Sequence, residues 1–229
     1  MNYRSIVLLS GGLDSVAALH WSLERYPTEA LSFHYGQPNR DAECAAAGVI
    51  AKRRGVHLET FALCDSIHGG RGLRVAEPGV NAAGVSRSNM AGRNMSFLSI
   101  AAAHGARRHP GARLRIVIGC NADDAERFPD CRADFIGAAS AVLALALRGV
   151  VEDVSVEAPW VRLRKGAIIR QAKPIALEDI ATSVSCYAGT ACGTCDACTL
   201  RARAFADAGQ AAPRHVTIPL IGGDPSRNR

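Results

Sequence analysis

Short apolar runs alternate with longer segments of mixed polarity along most of the chain. The first run, Ile6–Leu9, ends at a pair of glycines, and the runs Ala30–Tyr35 and Val56–Phe61 follow it. The segments between them, 16–25 and 42–54, have the spacing of apolar residues that is typical of helices. Strands that alternate with helices in this order predict a parallel sheet with right-handed crossovers.

The same alternation continues through the second half of the chain. It predicts strands at 114–119 and 154–159 and helices at 95–106, 134–148, 165–172 and 199–208, with Pro174 ending the third of these helices. We therefore expect an α/β fold with a doubly wound, five-stranded parallel sheet. The expected units are a main domain over 1–180 with a lid-like loop at 66–92, a small C-terminal segment over 181–208, and a tail over 209–229.

Composition limits the classes of protein that fit. The chain has 229 residues, 48% of them hydrophobic, which is enough for one good core. No apolar run approaches the ~20 residues of a membrane span, and Met1–Arg4 do not look like a signal peptide, so we expect a cytoplasmic protein. The net charge of +6 suits nucleotides, phosphates and nucleic acids alike.

The segment Ser10–Ser15 has the features of a phosphate-binding loop. It joins a predicted strand to a predicted helix, and its two glycines allow backbone N–H groups to converge on an anion near the helix N-terminus. Asp14 would either hold Mg²⁺ or cap the helix. The alternative is an ordinary turn without a ligand. The expected nucleotide-binding residues are Leu9, Ser10, Gly11, Gly12, Leu13, Asp14 and Ser15.

Four of the eight cysteines lie close together near the C-terminus, at Cys186, Cys192, Cys195 and Cys198. Two-residue spacings with nearby glycines are typical of a closed four-thiolate zinc site. Buried free thiols and an iron–sulfur cluster are the alternatives. Cys131 stands apart from these four, and we interpret it as a packing residue.

These motifs carry a resemblance to known families. The loop Ser10–Ser15 resembles the phosphate loop of the N-type ATP pyrophosphatases, which have the adenine nucleotide alpha-hydrolase-like fold. Together with the cysteines and several other segments, it resembles the 7-cyano-7-deazaguanine synthases of the queuosine pathway from about Ile6 to about Arg203. The other matching segments are Tyr35–Gln37, Gly92–Asn94, Gly119, Asn121–Asp124, Phe128–Arg132, Lys165, Ser185–Tyr187 and Cys192–Arg201.

The resemblance implies an ATP-dependent ligase that converts 7-carboxy-7-deazaguanine and ammonia into the nitrile through an adenylate. It implies ATP, Mg²⁺ and Zn²⁺ as cofactors and a homodimer. Asp14, Ser15, Arg93 and Lys165 are the expected catalytic residues. The expected substrate contacts are Tyr35, Gln37, Arg93, Asn94, Asp124, Phe128 and Asp130, with Asp124 and Asp130 as candidates to read the donors of the base.

The chain departs from the family pattern at two places near the expected substrate. Pro38-Asn39 replaces the usual Arg-His, and Glu126-Arg127-Phe128 replaces the usual Ser-Gly-Tyr. A paralogue that joins the deazapurine acid to a protein amine in antiviral defence is therefore an alternative. A tRNA-modifying enzyme of the same superfamily is a weaker one, since no basic stripe or added RNA-binding domain is visible. We expect neither a stable nucleic-acid partner nor a membrane.

Overall fold

A computed structural model describes residues 2–63, 79–87 and 89–213 of the chain. Within these residues the strands form one parallel five-stranded sheet in the order β3-β2-β1-β4-β5. The doubly wound α/β fold is thereby confirmed. The strands are β1 (Tyr3–Leu8), β2 (Thr28–His34), β3 (Leu58–Ala62), β4 (Arg113–Val117) and β5 (Asp153–Glu157).

The helices lie on both faces of the sheet. The helix predicted at 165–172 ends before Pro174, as expected, but Pro174 also begins a further helix that was not predicted, because proline is tolerated in the first turn of a helix. The helices are α1 (Leu13–Leu23), α2 (Arg40–Arg54), α3 (Arg93–Arg108), α4 (Ala122–Ala125), α5 (Ala133–Ala146), α6 (Lys165–Gln171), α7 (Pro174–Thr182) and α8 (Asp196–Asp207), with one 3₁₀ turn at Pro129–Cys131.

Strand β1 divides the core into two layers. Ile6 and Leu8 face the layer covered by α3 and α5, whereas Val7 faces the layer covered by the remaining long helices, and all three are buried. The period of two along a strand sends successive side chains to opposite faces. A run that is apolar at every position therefore indicates a strand buried on both sides, as the sequence predicted.

The order of the strands reverses at β1, and this reversal determines where the candidate active site lies. The chain moves from β1 outward to β2 and β3, and then returns to place β4 on the other side of β1. In open α/β sheets such a switch leaves a crevice at the carboxyl ends of the strands. Residues that follow β1, β4 and β5 therefore meet at one edge of the sheet.

The predicted lid-like loop at 66–92 lies partly outside the described residues. In its described part, Val80 and Ser86 form an antiparallel bridge, and the Ser86 N–H donates to the carbonyl of Arg127 at 2.9 Å. The loop's role as a lid stays a prediction, as do the boundary at residue 180 and the tail, of which 214–229 are not described. No helix of the described ranges is long and apolar enough to cross a membrane.

A fully buried carboxylate ties α7 to α1 and α2. Asp179 accepts from Arg53 Nη1 at 2.6 Å and from Arg54 Nε at 2.5 Å, and its Oδ2 lies 2.9 Å from His20 Nε2. Burial opposes ionisation, but the two arginines and His20 outweigh it and hold the pKa of Asp179 below its usual value. This ion cluster anchors the helix that precedes the cysteine segment.

We predict that Asp179→Ala lowers the free energy of unfolding by about 3–5 kcal/mol, because it leaves partly buried arginines without their counter-charge. The matched control is Glu178→Ala, since the neighbouring Glu178 side chain is 71% exposed and its pairing with Arg54 is long, at 3.7 Å. Urea denaturation measures both variants. Equal, small losses for the two would show that the cluster contributes little.

Candidate active site

The phosphate loop connects β1 to α1 and presents unpaired backbone donors. Gly12 is the N-cap of α1, and no described side chain caps the helix there. The first N–H groups of a helix have no intrahelical acceptor, and the helix dipole places partial positive charge at the same end. The first turn, Leu13–Ser15, is therefore a ready site for an anion. The helix begins at Leu13 and not at residue 16, because the loop itself supplies this turn.

Two serine hydroxyls fix the shape of the loop. The Gly12 N–H donates to Ser10 Oγ at 3.2 Å, and Ser10 Oγ donates to Ser15 Oγ at 3.1 Å. Ser15 Oγ in turn donates to the carbonyl of Gly12 at 2.9 Å. Both hydroxyls thus lie at the N-terminus of α1, where they can also contact a bound phosphate.

Close backbone packing holds the loop from both sides. Gly11 has φ +85°, and a Cβ at this residue would lie 2.4 Å from the carbonyl oxygen of Glu43 on α2. A Cβ at Gly119, after β4, would lie 2.7 Å from the carbonyl carbon of Asp14. Only glycine fits at either position, so the loop cannot move independently of α2 and β4.

Lys165 joins the phosphate loop to the segment after β4. Its Nζ lies 2.7 Å from Asp14 Oδ2 and 3.1 Å from Asp124 Oδ1. Asn121 orients Asp124, since its Oδ1 accepts from the Asp124 N–H at 3.0 Å and its Nδ2 donates to Asp124 Oδ2 at 2.6 Å. Three predicted site residues, far apart in sequence, therefore form one charged cluster.

The two carboxylates keep Lys165 charged. Burial alone would lower the pKa of Lys165, but Asp14 and Asp124 outweigh it and raise that pKa. Burial also raises the pKa of Asp14, although Lys165 opposes the shift. Asp14 does not cap the helix. Its Oδ1 is buried without a hydrogen-bond partner among the described residues, which leaves an oxygen ligand of the kind that Mg²⁺ takes.

Arg93 begins α3 on the opposite wall of the cavity. Its Nη1 donates to Tyr35 Oη at 3.2 Å, and its guanidinium carbon lies 5.5 Å from the centre of the Tyr35 ring. Arg93 forms no ion pair with a described carboxylate, and its buried Nε has no hydrogen-bond partner among the described residues. Arg93 is half-buried and its hydrogen-bond partner is a neutral hydroxyl, so its guanidinium can receive an anion at this wall.

Asp130 has a different position from Asp124. Its Oδ2 accepts from the Asn94 N–H at 3.2 Å, and its carbonyl accepts from Asn94 Nδ2 at 2.9 Å. Asp130 thus lies behind Asn94, where it holds the first turn of α3. Its other oxygen, Oδ1, is buried and has no partner within the described part of the chain. Asp124, by contrast, faces the cavity directly.

All these groups surround one cavity of about 460 Å³. Every residue that we predicted to contact nucleotide or substrate lines it, except Gly11 and Asp130. Phe33, Phe97 and Phe128 add apolar wall to the polar ends. A cavity of this size with convergent polar groups is typical of a small-molecule site.

The four cysteines lie together, as their spacing predicted. Their Sγ atoms are all within 4.8 Å of one another, and Cys192 Sγ lies 4.0 Å from Cys198 Sγ. Backbone N–H groups of Cys195 and Cys198 each donate to a cluster sulfur at 3.4 Å. Tetrahedral coordination with Zn–S bonds of about 2.3 Å places sulfurs about 3.8 Å apart, so the set fits a single four-coordinate ion.

The sequence analysis assigned no role to three residues that line the cavity, Glu43, Asp123 and Arg201. Glu43 accepts from Asn39 Nδ2 at 2.9 Å and from Gln37 Nε2 at 3.3 Å. Asp123 Oδ2 accepts from the Lys165 N–H at 2.8 Å, across 42 residues. Asp123 and Arg201 lie in segments that match the family pattern, which gave them no individual role, and Glu43 had no such signal because the helix predicted at 42–54 leaves out its partner Asn39.

The replacements at Pro38-Asn39 and Glu126-Arg127 both lie at the cavity. Asn39 takes part in holding Glu43, as described above. Glu126 Oε1 accepts from Arg164 Nη2 at 2.5 Å, and Arg127 Nη1 lies 3.6 Å from Asp196 Oδ2 at the start of α8. These departures from the family pattern therefore have partners of their own in this chain.

Fold and site together define an α/β nucleotide-binding enzyme. The phosphate loop follows the central strand of a doubly wound sheet, and lysine, carboxylates and arginine converge beside it in one cavity. Convergent charged groups in a cavity of this kind are typical of enzymes that act on small molecules.

Comparison with known proteins gives the family. The family model described as "Queuosine biosynthesis protein QueC" matches residues 4–209, and the chain belongs to this family. It is similar to the curated 7-cyano-7-deazaguanine synthases of Acinetobacter baylyi (39% identical over 93% of this chain and 95% of the relative) and Stenotrophomonas maltophilia (38% over 90% and 96%). That of Methylococcus capsulatus is 39% identical over 91% and 96%.

The buried carboxyl of Glu43 leads to a prediction about pH. Burial raises its pKa from 4.5 to about 7, and the hydrogen bonds from Gln37 and Asn39 and the charge of Arg93 offset that rise only in part. Between these values the unfolded chain releases the proton and the folded chain keeps it. Stability from this group is therefore complete below pH 4.5 and is lost as pH rises to about 7, by about 3 kcal/mol in all.

Glu43→Gln is expected to remove this loss, so that its free energy of unfolding changes less between pH 5 and pH 8 than that of the wild type. Glu178→Gln, at an exposed position, is the control and should follow the wild type. Chemical denaturation at several pH values gives the three profiles. Parallel profiles for wild type and Glu43→Gln would contradict the assignment.

Proposed function

We propose that the protein uses ATP to convert 7-carboxy-7-deazaguanine and ammonia into 7-cyano-7-deazaguanine. The observation that carries this proposal is a convergence in one cavity. The phosphate loop and Lys165, which lies between Asp14 and Asp124, form one end, and Arg93, whose hydrogen-bond partner is neutral, lies on the opposite wall. The names of the curated relatives support the choice of substrate and product.

The nucleotide is assigned to the end of the cavity formed by Leu9–Ser15. The unpaired N–H groups of the first turn of α1 and the hydroxyls of Ser10 and Ser15 would hold its phosphates. Asp14 Oδ1 is the oxygen that would hold Mg²⁺, which supplies charge neutralisation at the phosphates when bound. Lys165 adds a positive charge at the same place, where charge develops as pyrophosphate leaves.

The deazapurine acid is assigned to the wall opposite the loop. Arg93 offers a fork of donors for its carboxylate, and Tyr35 and Phe128 supply aromatic surface for its rings. Gln37 and Asn94 are polar groups that can fix its orientation, and Asp124 can accept from donors of the base. We infer that Asp130 acts through Asn94 and does not contact the base directly.

The reaction needs two activations because a carboxylate is a poor electrophile. A carboxylate oxygen attacks the α-phosphate, which releases pyrophosphate and leaves an acyl-adenylate. Ammonia displaces AMP and loses a proton, which gives the amide. The amide oxygen then attacks a second ATP, and loss of pyrophosphate, AMP and two protons from nitrogen gives the nitrile. The protein's contribution is positioning and charge stabilisation.

We propose that the four cysteines hold zinc in a structural role. Four thiolates at tetrahedral spacing leave no open position for catalysis, and free thiols of this kind are typical of the reducing cytoplasm. Metal analysis of the purified protein should give one zinc per chain without the visible absorption of an iron–sulfur centre. Iron with labile sulfide would contradict the choice of metal.

We also propose that the protein is a homodimer. Helix α5 leaves Val142 and Leu145 exposed, at 52% and 63%, and Val150 beyond the helix is 50% exposed. Between Asp134 and Arg148 this segment carries no charge, which is unusual for a surface in contact with water. Sedimentation velocity should show a dimer, and a monomer at micromolar concentration would contradict this.

We predict that the protein forms the nitrile when it is incubated with ATP, Mg²⁺, 7-carboxy-7-deazaguanine and ammonium. Mass spectrometry of the products detects it. Two AMP should form for each nitrile. An amide as the only product, or a mass increase on a co-purifying protein, would support the paralogue of antiviral defence. Turnover that requires tRNA would support the tRNA-modifying alternative.

Lys165→Met should lower kcat by about 10²- to 10³-fold, the effect typical of removing one group that stabilises transition-state charge. The matched control is Lys173→Met, because the Lys173 side chain is 65% exposed and pairs only with Glu24 among the described residues. Activity of Lys165→Met within a factor of three of the wild type would remove Lys165 from the mechanism.

A further inference from the structure

Arg201 on α8 is a buried cation that the mechanism above does not use. It is only 3% exposed and forms no ion pair with a described Asp or Glu. Its Nη1 donates to the hydroxyls of Ser183 and Ser185 at 2.8 and 3.2 Å, and its Nη2 donates to the carbonyl of Ile180 at 2.8 Å. Its Nε is buried and has no partner among the described residues. Neutral acceptors therefore surround a charge without a counter-ion.

The cation belongs to the nucleotide end of the cavity. Arg201 lines that cavity, and the Val184 N–H, between its two serine partners, donates to the carbonyl of Gly11 at 2.9 Å. Burial lowers the pKa of Arg201 to about 10, although the nearby Asp14 and Cys198 oppose the shift. The guanidinium is thus charged at neutral pH. Val184, the residue between the two serines that Arg201 contacts, links the guanidinium to the phosphate loop.

The cysteine cluster includes residues from both α8, which carries Arg201, and the segment 183–186, which contacts the phosphate loop. Cys198 lies three residues before Arg201 on α8, and so on the same face of the helix. Cys186 directly follows Ser185, and its sulfur belongs to the same four-sulfur cluster. An ion bound by the cluster therefore fixes the helix that carries Arg201 relative to the segment that contacts Gly11.

We propose that Arg201 binds the phosphate groups of the nucleotide, and that the metal at the four cysteines holds it in place, so that metal and ATP bind cooperatively. This inference rests on the proposed use of ATP. A phosphate would supply the missing counter-charge, since guanidinium groups recognise phosphate oxygens through paired N–H donors. The cysteine segment then contributes to nucleotide binding as well as to folding.

The first test compares ATP with adenosine by calorimetry, on zinc-replete protein with Mg²⁺. Arg201→Met should weaken ATP binding about 10- to 100-fold, the cost of one charged hydrogen-bonding group, and leave adenosine binding unchanged. Arg201→Lys, which keeps the charge, should lose less. The control is Arg107→Met, at an exposed position near the end of α3 and outside the cavity.

The results separate the two proposals. A wild type without ATP affinity contradicts the proposed function. A wild type that binds ATP, with an Arg201→Met variant that binds it equally well, contradicts only the role of Arg201. Equal loss of ATP and adenosine binding in a folded variant shows a purely structural arginine and also overturns the inference.

The second test measures the coupling from the metal side. Saturating ATP should raise the zinc affinity of the wild type, measured by competition with a chromophoric chelator, by the same factor by which zinc raises ATP affinity. In Arg201→Met this factor should fall towards one. An ATP-independent zinc affinity in the wild type would overturn the cooperative part of the proposal.

Discussion

The site depends on one constraint, the confinement of the phosphate loop between α2 and the end of β4. Gly11 and Gly119 allow backbone to approach backbone at distances that no other residue permits. This packing directs the first-turn amides of α1 into the crevice where the direction of winding reverses. Lysine and carboxylates from later segments then meet an anion site whose backbone position is already fixed.

Charge is distributed unevenly around the cavity. Lys165 is balanced by two carboxylates, whereas the half-buried Arg93 and the buried Arg201 have neutral hydrogen-bond partners. Buried charges without partners are expensive, and their presence on opposite walls indicates that ligands complete the balance. The nucleotide and the carboxylic acid of the proposed reaction would supply negative charge at both ends.

Most of the fold could be predicted because it follows local patterns. The apolar strands, the Gly-Gly turn and the spacing of the cysteines are each readable over a few residues. The start of α1 was misplaced because the loop residues are themselves helical. Helix α7 was missed because Pro174 has opposite meanings inside a helix and at its first turn.

The contacts that assemble the site follow from no local pattern. Asp14 and Lys165 are 151 residues apart, and Asp123 meets the Lys165 backbone across 42 residues. Arg201 lies in a segment that matches the family pattern, but its contacts with Ser183 and Ser185 appear only in the folded chain. The sequence could not show that Asp124 lines the cavity whereas Asp130 does not. This difference depends on the folded chain, in which Asp130 is hydrogen-bonded to Asn94 and Asn94 lines the cavity.

The most direct test of the account is a crystal structure with a non-hydrolysable ATP analogue and Mg²⁺. The account predicts that phosphate oxygens accept hydrogen bonds from the N–H groups of Leu13–Ser15, with the metal on Asp14 Oδ1. Phosphates bound elsewhere in the cavity, with the first turn of α1 empty, would contradict it.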